Sequence, residues 1–270
     1  VTAAVAVRRR AGTLPAGFFL LLVAISAVTP DLFTPYDPYA TVPAEKLLAP
    51  SAAHVFGTDE LGRDQFTRVL YGATHTIGIT AAAVGLALIA GLVVGVLSGL
   101  TGGWPDIVVM RAVDVLVSLP RLLLALLIVT AFGFGAVPTT VAVAAGIFPG
   151  LARVARAETL KIRTLPYVEA ARAGGASWLR SAVRHVLPHS WAPVLALALL
   201  DAGTAILVIS TMSFLGLGPP PPAAEWGGLI AQGRDHLVAA PWLTLLPGVF
   251  VGLVLLSLDH LVRSLGRDVP

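Results

Sequence analysis

The 270-residue chain has no cysteine at all. That excludes a disulfide framework, a thiolate metal site and a cysteine nucleophile, and it leaves the compartment open. Charge is almost as scarce. Asp, Glu, Lys and Arg together make up 12%, against 56% apolar residues, where a soluble domain carries about 25% charged residues. So little polar surface cannot cover a water-soluble fold, and so much apolar side chain excludes disorder. Lysine is rarer still: only Lys46 and Lys161 occur. Neither follows a glycine-rich turn or precedes Ser or Thr, so the phosphate-cradling loop of an ATPase is missing. His185 and His189 have the spacing of a zinc-protease helix, but Val186, Leu187 and Pro188 between them supply no glutamate and a helix breaker. The other histidines (54, 75, 236 and 260) are scattered. No enzyme is expected, and no cofactor or metal in this chain.

What is present is long apolar runs. No charge falls between Ala11 and Pro30, between Ala73 and Pro105, or between Val238 and Leu258. Arg121 is the sole charge from Val115 to Ala152, and Asp201 the sole charge from Val186 to Ala224. With a span needing about 20 apolar residues, these runs predict an all-α integral membrane protein. Its six transmembrane helices are expected near 14–30, 75–100, 112–132, 138–155, 192–216 and 242–262. Gly133-Phe134-Gly135 marks a tight hairpin between the third and fourth. The runs are too long and too uniformly apolar for a barrel's alternation. A cleaved signal peptide is the alternative for the first helix; the expectation is that the helix is retained.

Arginines give the orientation. Arg8, Arg9 and Arg10 precede the first helix, Arg153, Arg156, Arg163, Arg172, Arg180 and Arg184 lie between the fourth and fifth, and Arg263 and Arg267 follow the last. By the positive-inside bias, both termini and the 156–190 loop are expected in the cytoplasm, and segments 31–72 and 218–241 outside.

The inner loop predicts two short helices. Thr164 can cap the first, with Pro166 in its opening turn and Glu169 favouring its positive end. Gly174 and Gly175 stop it, and Ser177 can cap the next. Around that elbow Ala170, Ala171, Ala173 and Gly175 carry almost no side chain, so another protein's backbone can come close, while Glu169 and Arg172 offer directional contacts.

From Glu169 to Pro188 the chain resembles the EAA motif of ATP-binding-cassette (ABC) importer permeases: Glu169-Ala170-Ala171, three residues, Gly175, then Leu187-Pro188. The outer run Phe56-Gly57-Thr58-Asp59-Glu60-Leu61-Gly62-Arg63-Asp64 is similar to a signature of the dipeptide and oligopeptide permeases. So is Ser213-Phe214-Leu215-Gly216-Leu217-Gly218 with its prolines and Trp226-Gly227. The resemblance covers about residues 14–265 and is strongest to the C-type subunit of that branch. It implies a type I importer core at 74–263, preceded by a tail, helix and outer loop at 1–73 and followed by a tail at 264–270. It implies docking of an ATPase on Glu169, Ala170, Ala171, Arg172, Gly174, Gly175, Leu187 and Pro188. It also implies a second, dissimilar permease, two ATPase subunits holding ATP and Mg, an external binding protein, a peptide cargo and surrounding lipid; no nucleic acid is expected. Localisation would be the cytoplasmic (inner) membrane. The outer residues Asp59, Gly62, Arg63, Asp64 and Trp226 are candidates for contact with the binding protein, although Asp59 or Asp64 can equally pair with Arg63 to hold the loop. Asp201, Met212 and Ser213 are candidates for the pathway. Arg121 either faces a partner, a cavity or the pathway, or snorkels from near the cytoplasmic end of its helix.

Overall fold

The computed structural model describes residues 2–175, 177, 180 and 182–265. Its helices are α1 (Thr2–Val28), α2 (Gln65–Thr101), α3 (Gly103–Ser118), α4 (Arg121–Phe132), α5 (Ala136–Ile162), α6 (Pro166–Ala173), α7 (Leu187–Phe214), α8 (Trp226–Gly233) and α9 (Trp242–Leu265). Among the described residues there is no strand, only an isolated bridge between Thr58 and Asp64. Helices α2, α5, α7 and α9 are long and apolar enough to cross a membrane. The apolar part of α1, Thr13–Val28, rises about 24 Å at 1.5 Å per residue.

The third expected span needs correcting. Residues 112–132 do not form one helix, because α3 and α4 meet at a bend of 95°. Proline causes it. Pro120 has no N–H to donate and drives the residue before it out of the helical region; Leu119 sits at φ −87°, ψ 133°. The hairpin after α4 forms as expected, with Gly133 at φ +96° and Gly135 at φ +129°, a region where a side chain is strained.

The chain divides into two compact units that interleave in sequence. One comprises residues 1–81, 132–139 and 206–270, the other residues 82–131 and 140–205. In the first, Val23, Val69, Ala73, Ile206, Trp226, Leu229, Val251 and Val254 form the core. Trp226 is its centre: fully buried, edge-on to Phe250 at 5.6 Å, with its indole N–H donated to the Val69 carbonyl at 2.9 Å. Glu225 before it caps α8 by accepting the Gly228 amide at 3.0 Å, and its other oxygen accepts the Thr76 hydroxyl at 3.1 Å. A buried carboxylate is thereby satisfied on both oxygens.

In the second unit, α2 and α5 pack backbone to backbone. Gly91, Gly95 and Gly99 are four apart and share a helix face. A Cβ on Gly91 would lie 2.7 Å from that of Leu151, one on Gly95 2.4 Å from the Ala152 carbonyl, and one on Gly99 2.7 Å from Thr159. Without a solvent-driven hydrophobic force between helices in lipid, such small-residue contact supplies the packing. It sets α5, and whatever hangs on its C-terminal end, in fixed register with α2.

Candidate functional site

The elbow at Glu169–Gly175 is held on one side and bare on the other. Val168 of α6 is buried at 1% exposure and packs with Val96 and Leu100 of α2, Ile162 of α5, Ala182 and Val186. Outward from that anchor, Glu169, Ala170, Ala173, Gly174 and Gly175 are exposed, as are Leu187 and Pro188 further on. Ala171 is half-buried, and Arg172 lies on the same short helix. Gly174 N–H closes the helix on the Ala170 carbonyl at 2.9 Å, and Gly175 turns the chain at φ +86°, as expected of a glycine stop. The cap expected of Ser177 is present, its hydroxyl accepting the Arg180 amide at 3.3 Å. Residues 176, 178, 179 and 181 of the expected second helix lie outside the described residues. Beyond them Ala182–Val186 form one wide π-helical turn leading into α7.

One expectation fails here. Thr164 does not cap α6. Its hydroxyl turns back and donates to the Lys161 carbonyl at 3.0 Å, finishing α5. The first turn of α6 instead hangs on the Leu165 carbonyl, which accepts from Val168 at 2.9 Å and Glu169 at 3.2 Å.

Reading the sequence also misses the groups that brace this seat. Arg156 grips Asp106 of α3 with two N–H groups, each at 2.6 Å, and Ser98 of α2 donates to the same carboxylate. Arg163 donates to the Gly99 carbonyl at 2.7 Å, and Arg153 to Asp114 at 2.5 Å. Two-pronged Arg–carboxylate contacts fix geometry as well as charge. These bonds tie the C-terminal end of α5 to α2 and α3.

The Phe56–Asp64 signature closes on itself. Asp59, Arg63, Asp64, His54 and Thr58 are all buried. Asp59 accepts Arg63 Nε at 2.6 Å and lies 3.6 Å from Arg68. Asp64 meets His54 Nδ1 at 2.9 Å and accepts both the amide and the hydroxyl of Thr67, at 2.7 and 2.6 Å. Gly62, at φ +76°, is crossed by the chain at Val42, whose carbonyl would be 1.9 Å from an added Cβ. The alternative in which these charges hold the loop is what the geometry supports. Trp226 is likewise enclosed. Gly62→Ala should therefore unfold the outer loop, with a loss of at least ~2 kcal/mol; limited proteolysis between 40 and 64 checks it, and unchanged cleavage would show the loop tolerates the clash.

Within the apolar layer Arg121 and Asp201 form an ion pair, Nη1 to Oδ1, at 2.7 Å. The two lone charges of these apolar runs thus meet each other. The stem of Arg121 crosses Gly146 of α5, where an added Cβ would lie 3.6 Å from its own. Met212 and Ser213 are buried within their unit, at 0% and 5% exposure. Among the described residues no group of three His, Asp or Glu side chains could hold a metal ion.

Residues 91–269 match the family described as binding-protein-dependent transport system inner membrane component. The chain belongs to that family. Among curated relatives, a putative peptide transport system permease protein of Brucella suis is 40% identical over 93% of this chain and 84% of its own length. A dipeptide transport system permease protein of Alkalihalophilus pseudofirmus is 37% identical over 92% and 80%, and a glutathione transport system permease protein of Pectobacterium atrosepticum 35% over 94% and 84%. Among solved structures, the methionine ABC transporter MetNI in an inward-facing conformation aligns with TM-score 0.57 at 21% identity, over 73% of this chain and 95% of that one. That likeness concerns the fold: the permease has a type I importer core and is a multi-pass membrane protein.

Proposed function

We propose that this permease is one of two dissimilar membrane subunits of an ATP-driven importer of di- or oligopeptides. The observation that carries the reading is the pairing of an exposed, nearly side-chain-free elbow at Glu169–Gly175 with a buried anchor at Val168. An ATPase subunit would seat on that elbow. The push would pass through Val168 to α2, α5 and the start of α7, a shear among packed helices of the kind that amplifies small shifts. ATP and Mg would be held by the partner chains, and this chain would act as transducer. Arg172, Leu187 and Pro188 would complete the seat. Both termini would lie in the cytoplasm of the inner-membrane protein, and the pathway would form against the second permease, with Asp201, itself only 6% exposed, backing its lining. Met212 and Ser213 are too buried within this chain to meet cargo without rearrangement, so their part in the pathway would be to back it.

The external binding protein would meet the exposed rim of the outer loops, at Glu60, Leu61, Asp235, Leu237 and Val238, over the frame made by Asp59, Gly62, Arg63, Asp64 and Trp226. Peptide cargo is supported by the relatives named for peptide and dipeptide transport; the glutathione permease among them favours short peptides with several charged groups as a second cargo class.

Reconstitution tests this. Vesicles holding the two permeases and two ATPases should accumulate labelled dipeptide only with ATP inside and peptide-loaded binding protein outside. Robust ATP hydrolysis without peptide accumulation, with another cargo taken up instead, would sink the peptide assignment.

A further inference from the structure

Asp59, Gly62, Arg63, Asp64 and Trp226 are enclosed, so a surface that meets the external binding protein has to lie beside them. At the end of α2 that precedes its apolar run, residues 31–39 fold against Tyr71 around a cavity of about 520 Å³. Tyr36, Tyr39 and Tyr71 line it together with Asp31 and Asp37, and no basic side chain is among the lining residues.

The walls are fixed before anything arrives. Tyr71 donates its hydroxyl to Asp31, and Tyr36 donates its own to the Ala53 carbonyl at 3.0 Å. Asp37 accepts the Tyr39 amide at 2.7 Å. Thr34 is buried and bonded to the Thr67 hydroxyl of α2 at 2.6 Å. The buried Arg68 guanidinium holds the Pro38 carbonyl at 3.1 Å, its charge met by Asp59 at 3.6 Å. Pro35 and Pro38 stiffen the chain further by fixing φ. With those hydroxyls spent, an incoming group meets the exposed rings of Tyr36 and Tyr39. It also meets the second oxygens of Asp31 and Asp37, which have no partner among the described residues.

Two independent properties select the same kind of ligand. The carboxylates favour a cation, and aromatic rings attract one through their negative faces. A hard metal ion needs more oxygen ligands than two carboxylates supply, and among the described residues no group of three acidic or histidine side chains could hold one. An organic cation suits both features. The surrounding surface agrees. Segments 31–72 and 218–241 hold eight acids and four bases, of which Asp59, Asp64, Glu225, Arg63 and Arg68 are buried. Toward solvent that leaves Asp31, Asp37, Glu45, Glu60 and Asp235 against Lys46 and Arg234, an acidic face.

We infer that this tyrosine-walled cavity receives a lysine or arginine side chain of the external binding protein. The inference rests on the importer reading and adds a place and a chemistry for that contact. Tyrosine and arginine recur where interfaces bind most tightly, and a guanidinium both stacks on rings and forks onto carboxylates. Rigid walls spare the complex the cost of ordering them.

The experiment titrates the intact importer, in lipid nanodiscs, with peptide-loaded binding protein and reads the concentration that half-maximally stimulates ATP hydrolysis. The decisive variant is Asp37→Asn combined with Tyr39→Leu. Asparagine keeps an oxygen for the Tyr39 amide and removes the charge, while leucine keeps bulk and removes the ring. The half-maximal concentration should rise about tenfold, and its dependence on salt should flatten. Tyr39→Phe, which keeps the ring, should stay within about twofold of wild type. One Lys or Arg of the binding protein, changed to Met, should lose the same factor against the wild-type importer and nothing more against the double variant. If the double variant fails to fold, the near-isosteric Asp37→Asn alone carries the test, with a rise of about threefold. An unchanged half-maximal concentration overturns the inference, as does the absence of any such basic residue on the binding protein. It falls equally if binding-protein affinity holds while uptake needs more peptide, because the cavity would then serve the ammonium group of the cargo. A wild-type importer that no peptide-loaded binding protein stimulates would instead overturn the importer reading itself.

Discussion

A permease carrying Gly175→Glu is expected to fold and insert normally, yet bring down at least tenfold less of its ATPase partner on co-purification. The structure separates those two outcomes. An added Cβ at Gly175 meets nothing within 4 Å among the described residues, so the first atom of a new side chain is not blocked by the permease itself. The cost inside the chain is conformational. A left-handed residue other than glycine loses about 1–2 kcal/mol, small enough to leave a large membrane fold intact. Gly175→Ala carries that same backbone strain with almost no bulk, and its co-purification should stay within about threefold of wild type. The glutamate places four further heavy atoms and a negative charge where the partner's surface must approach. Equal recovery of the ATPase by the glutamate variant and wild type would remove the elbow from the docking surface.

Gly95→Leu should do the opposite, destroying the fold before any partner matters. The first atom of the new side chain would lie 2.4 Å from the Ala152 carbonyl, 2.5 Å from Ala155 Cβ and 2.9 Å from the Arg156 amide. Two of those three neighbours are backbone and cannot swing aside, so α2 and α5 must separate. Overpacking typically costs about 1–3 kcal/mol where side chains can adjust, and more where they cannot. Separation would also release Arg156 from Asp106 and withdraw Val96 and Leu100 from beneath Val168. The expected readout is loss of the monodisperse peak in detergent, or a fall of 10 °C or more in melting temperature, taken at roughly 2–4 °C per kcal/mol for a chain of this size. Gly85→Ala on the same helix is the control: nothing lies within 4 Å of its added Cβ, and alanine favours the helix by up to about 1 kcal/mol. Equal behaviour of the two variants would mean that the glycine face is not a packing face.

The sequence was legible where a single stretch carries its own signal. Apolar runs located α2, α5, α7 and α9 because length and hydropathy are local properties, and Gly133, Gly135 and Gly175 marked turns because only a missing Cβ suits their backbone. Pro120 was equally visible, but the apolar run on either side of it masked the break. Its effect on Leu119 was there to be read from the proline alone. Orientation of polar groups was not legible. Asp59, Arg63 and Asp64 look solvent-facing in a row of letters, and only the return of the chain at Val42 and Leu48 encloses them. Thr164 had two backbone targets at similar reach, one ahead and one behind, and spacing does not choose between them. Asp106 with Arg156, and Arg121 with Asp201, are separated by 50 and 80 residues. Their pairing depends on how helices distant in sequence pack, which a single sequence does not disclose. For Arg121 and Asp201 a weaker clue existed, since two lone opposite charges in apolar runs have good reason to find each other.

The outer signature has a practical corollary. Its acids and bases satisfy one another beneath the surface, so the frame needs nothing from the residues above it. Glu60 and Leu61 stand on that frame like interchangeable fittings, with Glu60 reaching His236 at 3.1 Å. Exchanging those surface positions for the corresponding ones of a sister importer ought to redirect which delivery protein is accepted while the membrane helices beneath stay as they are.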